Sequence, residues 1–94
     1  MMRVIWSRPA RDDVFGIADY YDAVDPSLAE IILDRIDQAA ATLLANPRIG
    51  TAITELGVRK WNVRHTPFLL LYAVRGQEIE IRRVRHGAAE WREA

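Results

Sequence analysis

Two segments in the first half of the chain place apolar side chains at the spacing of an α-helix. In the first segment, apolar residues recur at intervals of three and four, at Val14, Ile17, Ala18 and Tyr21. This spacing lines them along one helical face. Ser7 offers a side-chain oxygen as an N-cap, and Pro9 falls in the first turn, where a missing N–H loses no hydrogen bond. The pattern predicts a helix that begins after Ser7 and ends near Val24.

A second helix is predicted immediately afterwards. Asp25 and Pro26 form its start signal, an N-cap followed by proline at the first helical position. Apolar residues then recur at helical spacing, at Ile32, Leu33, Ile36, Ala39, Ala40, Leu43 and Leu44. The helix is expected to end at Asn46, because Pro47 disfavours helical backbone in the residue before it. The connection between the two helices is so short that they must pack as an antiparallel hairpin.

The segments outside the helices have the spacing of β-strands. Residues 3–6 are mostly β-branched or aromatic and predict a first strand. Residues 48–57 contain two glycines and show no clear period, so we expect a loop there. After Gly57 the side chains alternate, which predicts a strand with one basic face. That face carries Lys60, Asn62 and Arg64, and the other face carries Trp61, Val63 and His65.

Two further strands end the pattern. Residues 68–74 are apolar at every position, so this strand is expected to lie in the middle of the sheet. Residues 75–77 predict a tight turn, and residues 78–86 predict the last strand. The apolar parity switches between Ile81 and Val84, which predicts a β-bulge at the two intervening arginines. Gly87 then ends the strand, and residues 88–92 are expected to form a helical turn.

The predicted order β-α-α-β-β-β is typical of a single α+β domain over residues 1–94, with a helical hairpin packed on one face of a small, mostly antiparallel sheet. One helical layer covers only one face of the apolar central strand. The face turned away carries either Leu69, Leu71 and Ala73 or Phe68, Leu70, Tyr72 and Val74. We expect a loop or a partner protein to cover it.

Composition and motifs exclude several functional classes. The chain has no Cys, which rules out a disulfide framework and a thiolate zinc site. It has no apolar run of about 18 residues, so we expect no membrane span, and its N-terminal apolar stretch is too short for a signal peptide. A cytoplasmic protein is therefore expected. No glycine-rich phosphate loop is present, and His65 and His86 lack metal-site spacing, so no cofactor or metal is expected.

The charges are balanced overall but not along the chain. The sequence has 13 basic and 13 acidic residues, with net charge −4 in residues 1–47 and +4 in residues 48–94. Such a split favours one face for an acidic partner. All the basic residues except Lys60 are arginines, which make bidentate contacts with carboxylates and phosphates. A GC-rich genome would give the same bias.

A basic cluster flanks the central strand. It consists of Arg59, Lys60, Arg64, Arg82, Arg83 and Arg85, with His86 at its end. Such a cluster suits phosphates or an acidic protein segment, and it also suits a solvated sheet edge. Histidine is a common general acid or base, which makes His86 a candidate for that role, and a lone histidine at a strand end also caps backbone groups. Trp91 near the C-terminus is a candidate contact anchor.

Several features together resemble the RelE/ParE superfamily, which comprises toxins of bacterial type II toxin–antitoxin modules. They are the β-α-α-β-β-β order, the segment Asn46-Pro47-Arg48-Ile49-Gly50, the strand that ends Tyr72-Ala73-Val74, and the ending from Ile79 through Val84-Arg85-His86-Gly87 to Trp91. The resemblance covers essentially the whole chain. No single motif is diagnostic, but the combination is fairly specific.

The resemblance implies two alternative activities. RelE-like members are ribosome-dependent mRNA endonucleases that use basic residues and often a C-terminal Tyr. ParE-like members poison DNA gyrase and are not nucleases. Here His86 is followed by Gly87, no Tyr follows Tyr72, and Lys60 is the single lysine. This departs from the RelE-like pattern, so the ParE-like activity is the preferred expectation, and a third possibility is a binding module without toxicity.

The resemblance also implies roles for individual residues. For gyrase contact we expect Arg82, Arg83, Arg85, His86 and Trp91; a RelE-like nuclease would use Arg64, Arg82, Arg83 and His86 as catalytic residues. A cognate ParD-like antitoxin with a flexible, acidic C-terminal segment is the implied partner. For its binding we expect Arg59, Lys60, Trp61, Arg64, Leu69, Leu71 and Tyr20. No segment resembles a DNA-reading helix, so no sequence-specific DNA binding is expected.

Overall fold

In the computed structural model, which describes residues 1–88, two helices pack on a five-stranded sheet. The elements are β1 (Arg3–Trp6), α1 (Arg8–Val24), α2 (Pro26–Ala45), β2 (Thr51–Ile53), β3 (Val58–Asn62), β4 (Phe68–Arg75) and β5 (Glu78–His86). Both helices and the first and last strands have the predicted bounds. The expected helical turn at residues 88–92, with Trp91, extends beyond the described residues.

Capping hydrogen bonds start both helices where the sequence predicts. The Ser7 Oγ accepts from the Ala10 N–H at 3.2 Å, and the Asp25 carboxylate accepts from the Ser27 N–H at 3.0 Å. The Asp25 backbone N–H donates in turn to the Tyr21 carbonyl at 2.7 Å. One residue therefore ends α1 and begins α2, and the two helices pack against each other as the predicted hairpin.

The sheet has the strand order β1-β5-β4-β3-β2. The first and last strands of the chain, β1 and β5, run parallel, and all other neighbours run antiparallel. This confirms the mostly antiparallel sheet. The apolar strand β4 lies at its centre, as its sequence predicts.

The main core lies between the helices and one face of the sheet. From β4 it takes Phe68, Leu70 and Tyr72. The helices and β5 supply further buried residues, among them Ala10, Ile32, Ile36, Ala39, Leu43, Ile79, Ile81 and Val84. Trp6 and Trp61 pack against this core and are partly buried.

The opposite face of β4 carries Leu69, Leu71 and Ala73. Leu69 and Leu71 are 2% and 5% exposed and form a second cluster with Ile53 of β2 and Val58 of β3. The chain's own β2–β3 segment therefore covers much of this face. Leu69 and Leu71 do not form an open apolar surface for a partner. The sequence left open whether a loop of the chain or a partner protein covers this face, and for Leu69 and Leu71 the cover is the chain itself.

A β-bulge lies in β5 where the parity of the sequence predicts it. Leu71 pairs with Arg83 and Tyr72 pairs with Ile81, so Arg82 is the extra residue. The bulge returns Val84 to the helix-side core after Ile81. Without it, Val84 would face away from the core because side chains alternate along a strand.

The prediction of a continuous loop over residues 48–57 is wrong in part. Thr51–Ile53 form β2, which pairs with β3, and Thr54–Leu56 form a short 3₁₀ turn. Three residues are too few to show a period, and this strand exists because β3 supplies its hydrogen-bonding partner. Local spacing carries no signal of that pairing.

The strand predicted around residues 60–65 is shifted. It begins at Val58 and ends at Asn62, and Arg64 and His65 lie in the turn after it. His65 has a φ of +60°, a conformation that interrupts the strand. Arg64 therefore does not share a strand face with Lys60, as the alternation predicted.

Candidate functional site

The strand β5 carries Arg82, Arg83, Arg85 and His86, four residues of the expected target surface. Its neighbour β1 ends at Trp6, opposite Ile81. On the side of β1, the second half of β5 therefore lies along α1, while its other side stays paired with β4. Where β1 ends and α1 begins, the hydroxyl of Ser7 donates to the Arg82 carbonyl at 2.9 Å. The N-cap residue of α1 therefore also holds the bulge in β5.

Asp13 of α1 fastens this part of β5. Its carboxylate accepts from Arg83 Nε at 2.8 Å, from Arg83 Nη2 at 2.9 Å and from the Val84 backbone N–H at 2.9 Å. Burial raises the pKa of Asp13, but the hydrogen bonds from Arg83 and Val84 and the charges of Arg83 and Arg85 outweigh it and hold this pKa below its ordinary value. The Asp13 carboxylate thus accepts the hydrogen bond from the Val84 N–H that a neighbouring strand would otherwise accept.

Arg82 is also paired within the chain. Its Nε donates to Glu80 Oε1 at 2.7 Å, and both side chains are about one-third exposed. Together with the Asp13–Arg83 pair, this places a carboxylate beside each arginine of the bulge. Arg82 and Arg83, two of the residues that a RelE-like nuclease would use, therefore have their charge partly neutralised.

His86 lies at the exposed end of β5. Its ring meets Phe68 edge-on with centroids 5.6 Å apart, and its Nδ1 accepts from the Ala88 N–H at 3.1 Å. The Gly87 N–H donates to the Pro67 carbonyl at 2.7 Å. The turn that carries Arg64 therefore lies at the same end of the sheet as His86. Trp91, the other expected member of this surface, lies outside the described residues.

A groove of about 490 Å³ separates α1 from the ends of β4 and β5. An aromatic row runs along it, in which Tyr20 meets Tyr21 at 5.0 Å, Tyr21 meets Phe68 at 6.1 Å, and Phe68 meets His86. Tyr20 is 64% exposed. It was expected to bind the antitoxin and His86 to bind the target, and the structure brings the two to one groove.

The other residues expected to bind the antitoxin divide between the two faces of the sheet. The register pairs Lys60 with Leu71, on the face turned away from the helices, and Trp61 with Leu70, on the helix side. Arg59 is held by its Nη1, which donates to the carbonyls of Arg48 at 3.2 Å and Gly50 at 2.8 Å. Leu69 and Leu71 are buried, so in this structure they are not exposed for direct contact with an antitoxin.

Tyr72 explains the Pro-x-x-Gly segment after α2. Its hydroxyl donates to the Pro47 carbonyl at 2.8 Å and accepts from the Gly50 N–H at 2.9 Å. A Cβ at Gly50 would lie 2.6 Å from that hydroxyl and 2.8 Å from the Lys60 carbonyl. Burial raises the pKa of Tyr72, more than the Gly50 hydrogen bond and the Arg59 charge lower it, so the phenol stays protonated and able to donate.

A second groove, of about 600 Å³, lies beside β2 and the C-terminal half of β4. It brings Arg59 and Arg82 together with Arg48 and Arg75, two arginines that the sequence pattern did not single out. Arg48 lies in a predicted loop and Arg75 in a predicted turn, positions where an isolated arginine carries no local signal. Only the tertiary fold shows that they belong with the other two.

Metal-binding and membrane-spanning features are absent from residues 1–88. No group of three or more histidines and carboxylates in this range is arranged to hold a metal ion. No helix within it combines the length and the apolar character needed to cross a membrane. The features described above for these residues are the two grooves, the aromatic row, and the carboxylate partners of Arg82 and Arg83.

Comparison with known proteins identifies the family that this chain matches. Residues 4–91 match the family model described as the ParE toxin of the type II toxin–antitoxin system parDE. The chain is also similar to a solved structure of the chromosomal ParDE toxin–antitoxin system from P. aeruginosa, with 30% identity and a TM-score of 0.78 over 92% of this chain and 96% of that one. A search of curated proteins finds no match.

Proposed function

The chain belongs to the ParE toxin family of type II toxin–antitoxin systems, and from this membership we propose that it inhibits DNA gyrase and is neutralised by a cognate ParD-like antitoxin. The proposed gyrase surface begins in the second half of β5 and extends toward the C-terminus. It comprises Arg82, Arg83, Arg85, His86 and Trp91. Inhibition would occur by protein–protein contact, in which charged residues guide the encounter and an aromatic side chain anchors it.

The pairing of the bulge arginines is the structural observation that favours this proposal over an mRNA endonuclease. Arg82 is bonded to Glu80 and Arg83 to Asp13, each through 2.7–2.9 Å contacts. A site for phosphoryl transfer needs cations directed at the charge that develops on the phosphate. Arginines already bonded to carboxylates instead form a mixed-charge, hydrogen-bonding surface, which suits a protein interface.

The RelE-like alternative, an mRNA endonuclease, has one observation in its favour. The Gly87–Pro67 hydrogen bond brings the turn with Arg64 to the end of β5 with His86. In that activity His86 would transfer a proton and Arg64, Arg82 and Arg83 would hold the phosphate. The His86 Nδ1 accepts from the Ala88 N–H, so only Nε2 would be available to exchange a proton with RNA.

Neutralisation by an antitoxin follows from the family and is supported by the surface. The solved relative is a ParDE toxin–antitoxin system. The proposed antitoxin contacts are Tyr20, Arg59, Lys60, Trp61 and Arg64, together with Leu69 and Leu71, which are buried on the face turned away from the helices. Because these residues occupy both faces of the sheet, the antitoxin would have to wrap around an edge, as a segment that folds on binding can do.

A supercoiling assay with purified components tests the gyrase proposal. Relaxed plasmid, gyrase and ATP are incubated with and without the chain, and we expect supercoiling to stop and cleaved plasmid to accumulate. The variant Arg82→Gln/Arg85→Gln should weaken this inhibition at least about tenfold, because losing charged interface contacts typically costs more than about 1.4 kcal/mol. Arg83 is left intact because it holds Asp13.

The matched control removes the same charge elsewhere. Arg8→Gln/Arg35→Gln lies on the helices, and we expect it to inhibit gyrase like the wild type. Full supercoiling with folded wild-type chain would contradict the gyrase proposal. Cleavage of ribosome-bound mRNA, lost on His86→Ala, would establish the RelE-like activity in its place.

A further inference from the structure

We propose that the groove beside β2 binds a segment of the antitoxin that carries acidic and aliphatic side chains, with Arg48 and Arg75 as the main charged contacts. This inference rests on the proposed function and assigns two residues to the antitoxin in addition to those named above. The groove is bounded by the 3₁₀ turn Thr54–Leu56, the start of β3 and the second half of β4. Its volume of about 600 Å³ accommodates several side chains of a bound segment.

The charge of the groove is the first argument. Four arginines line it, namely Arg48, Arg59, Arg75 and Arg82, and no carboxylate is among its described lining residues. A concave surface with charges of one sign concentrates the field and attracts an oppositely charged partner.

The availability of that charge is the second argument. Arg48 and Arg75 are exposed, and their side chains form no hydrogen bond or ion pair within residues 1–88. Arg59 donates to two carbonyls, which fix its guanidinium but do not neutralise it. Of the four, Arg82 alone has a carboxylate partner in the described part of the chain, Glu80. At least three positive charges are therefore open to carboxylates of a partner, with which arginine forms bidentate contacts.

The apolar lining favours a protein segment over a nucleic acid. Ile53, Val58 and Ala73 line the groove as buried aliphatic residues, and Leu56 stands 39% exposed at its rim. Single-stranded nucleic acids are held by stacking on accessible aromatic rings. Tyr72, the aromatic residue of this groove, is fully buried. Aliphatic side chains next to Asp or Glu in a partner fit these surroundings better.

The position of Arg82 gives the inference a consequence for regulation. Arg82 lines this groove and also belongs to the proposed gyrase surface. A segment seated in the groove would contact or cover Arg82, so antitoxin and gyrase would compete for it. Neutralisation would then need no change in the toxin's conformation.

The test measures binding of the antitoxin encoded next to this chain's gene. Isothermal titration calorimetry or surface plasmon resonance compares the wild-type chain with Arg48→Gln/Arg75→Gln and with Arg8→Gln/Arg11→Gln, which changes two exposed arginines of α1. We expect the groove variant to raise Kd at least about tenfold and to flatten its salt dependence, as loss of charged interface contacts does. The helix variant should stay within about threefold, since it loses the same charge elsewhere.

The outcomes separate this inference from the proposed function. If the wild-type chain binds the antitoxin and the two variants bind alike, the groove assignment is wrong and the function stands. If the wild-type chain binds no antitoxin and does not inhibit gyrase, the proposed function itself fails. If a single-stranded oligonucleotide binds and Arg48→Gln/Arg75→Gln abolishes that binding while antitoxin affinity is unchanged, the groove belongs to nucleic acid. Circular dichroism of each variant verifies its fold.

Discussion

At the scale of single residues, the Tyr72 hydroxyl does more than fill the core. It joins β4 to the segment after α2 through one donated and one accepted hydrogen bond, to Pro47 and from Gly50. The sequence shows Tyr72 as one apolar residue in a buried strand and shows Pro47 and Gly50 as loop residues. That they bond to each other depends on a tertiary contact across 22 to 25 residues, which no local pattern encodes.

We expect Tyr72→Phe to lower the free energy of unfolding by about 1–3 kcal/mol, because the buried Gly50 N–H and the partly buried Pro47 carbonyl lose their partner. Urea denaturation monitored by circular dichroism measures the change. Tyr20→Phe is the matched control, since the Tyr20 side chain is 64% exposed and makes no hydrogen bond within the described residues. Equal stability of the two variants would mean that the hydroxyl contributes nothing.

Asp13 is a second residue whose main role the sequence hides. In the sequence it is an acidic residue near the start of a helix, where the helix dipole favours negative charge, and nothing local indicates a further contact. The structure adds the Arg83 side chain and the Val84 amide, which reach it because β1 ends at Trp6. Where a strand ends relative to its neighbour is decided by the whole sheet.

The pH dependence of stability should reveal Asp13. Its pKa is lowered in the folded state relative to an ordinary value of 3.8. Its contribution is therefore fully present above the unfolded pKa and is lost as pH falls through the lower, folded pKa. We expect Asp13→Asn to be less stable than wild type by about 1–3 kcal/mol at pH 7, with the gap closing as pH falls below about 4. The control Asp12→Asn, at an exposed position, should show a much smaller gap, and a gap for Asp13→Asn that is independent of pH would refute the assignment.

At the scale of elements, sequence predicted whatever depends on local spacing. Helix bounds followed from Ser7, Asp25 and Pro47, and the bulge in β5 followed from the parity switch between Ile81 and Val84. The strand β2 was missed because its three residues are held by pairing with β3. The same holds for the candidate site. Local spacing predicted that the last strand carries the target-surface residues, but it did not predict the groove with Arg48 and Arg75.

A glycine between α2 and β2 and a glycine within α1 should respond in opposite ways to the same substitution. Gly50→Ala places a Cβ 2.6–2.8 Å from Tyr72 and from the Lys60 carbonyl, and we expect a loss of about 1–3 kcal/mol from overpacking. Gly16 lies inside α1 with no atom within 4 Å of an added Cβ. Gly16→Ala should therefore stabilise the chain by up to about 1 kcal/mol, because alanine favours the helix. Thermal and urea unfolding of both variants check this, and the same sign for both would contradict the packing around Gly50.

At the scale of the whole molecule, the two layers carry opposite charge. The helical segment, residues 8–45, has eight acidic residues and three arginines, whereas residues 51–86, with β2 to β5, have seven basic and three acidic residues. The sequence showed this as a difference between halves. Because the first half folds mainly into helices and the second into strands, the fold converts it into a difference between layers. The basic layer carries Arg82, Arg83, Arg85 and His86 of the proposed gyrase surface and most of the residues that line the groove beside β2.

This separation predicts how the chain meets an acidic antitoxin. The formal net charge is zero, so a protein with evenly distributed charge would associate at a rate nearly independent of salt. A basic layer attracts an acidic segment locally, and that attraction is screened as the Debye length shortens. We expect the association rate constant, measured by stopped-flow fluorescence, to fall about tenfold or more between about 50 and about 300 mM NaCl, with a smaller change in the dissociation rate. A constant association rate over this range would show that the charge separation does not guide binding, even if the antitoxin binds tightly.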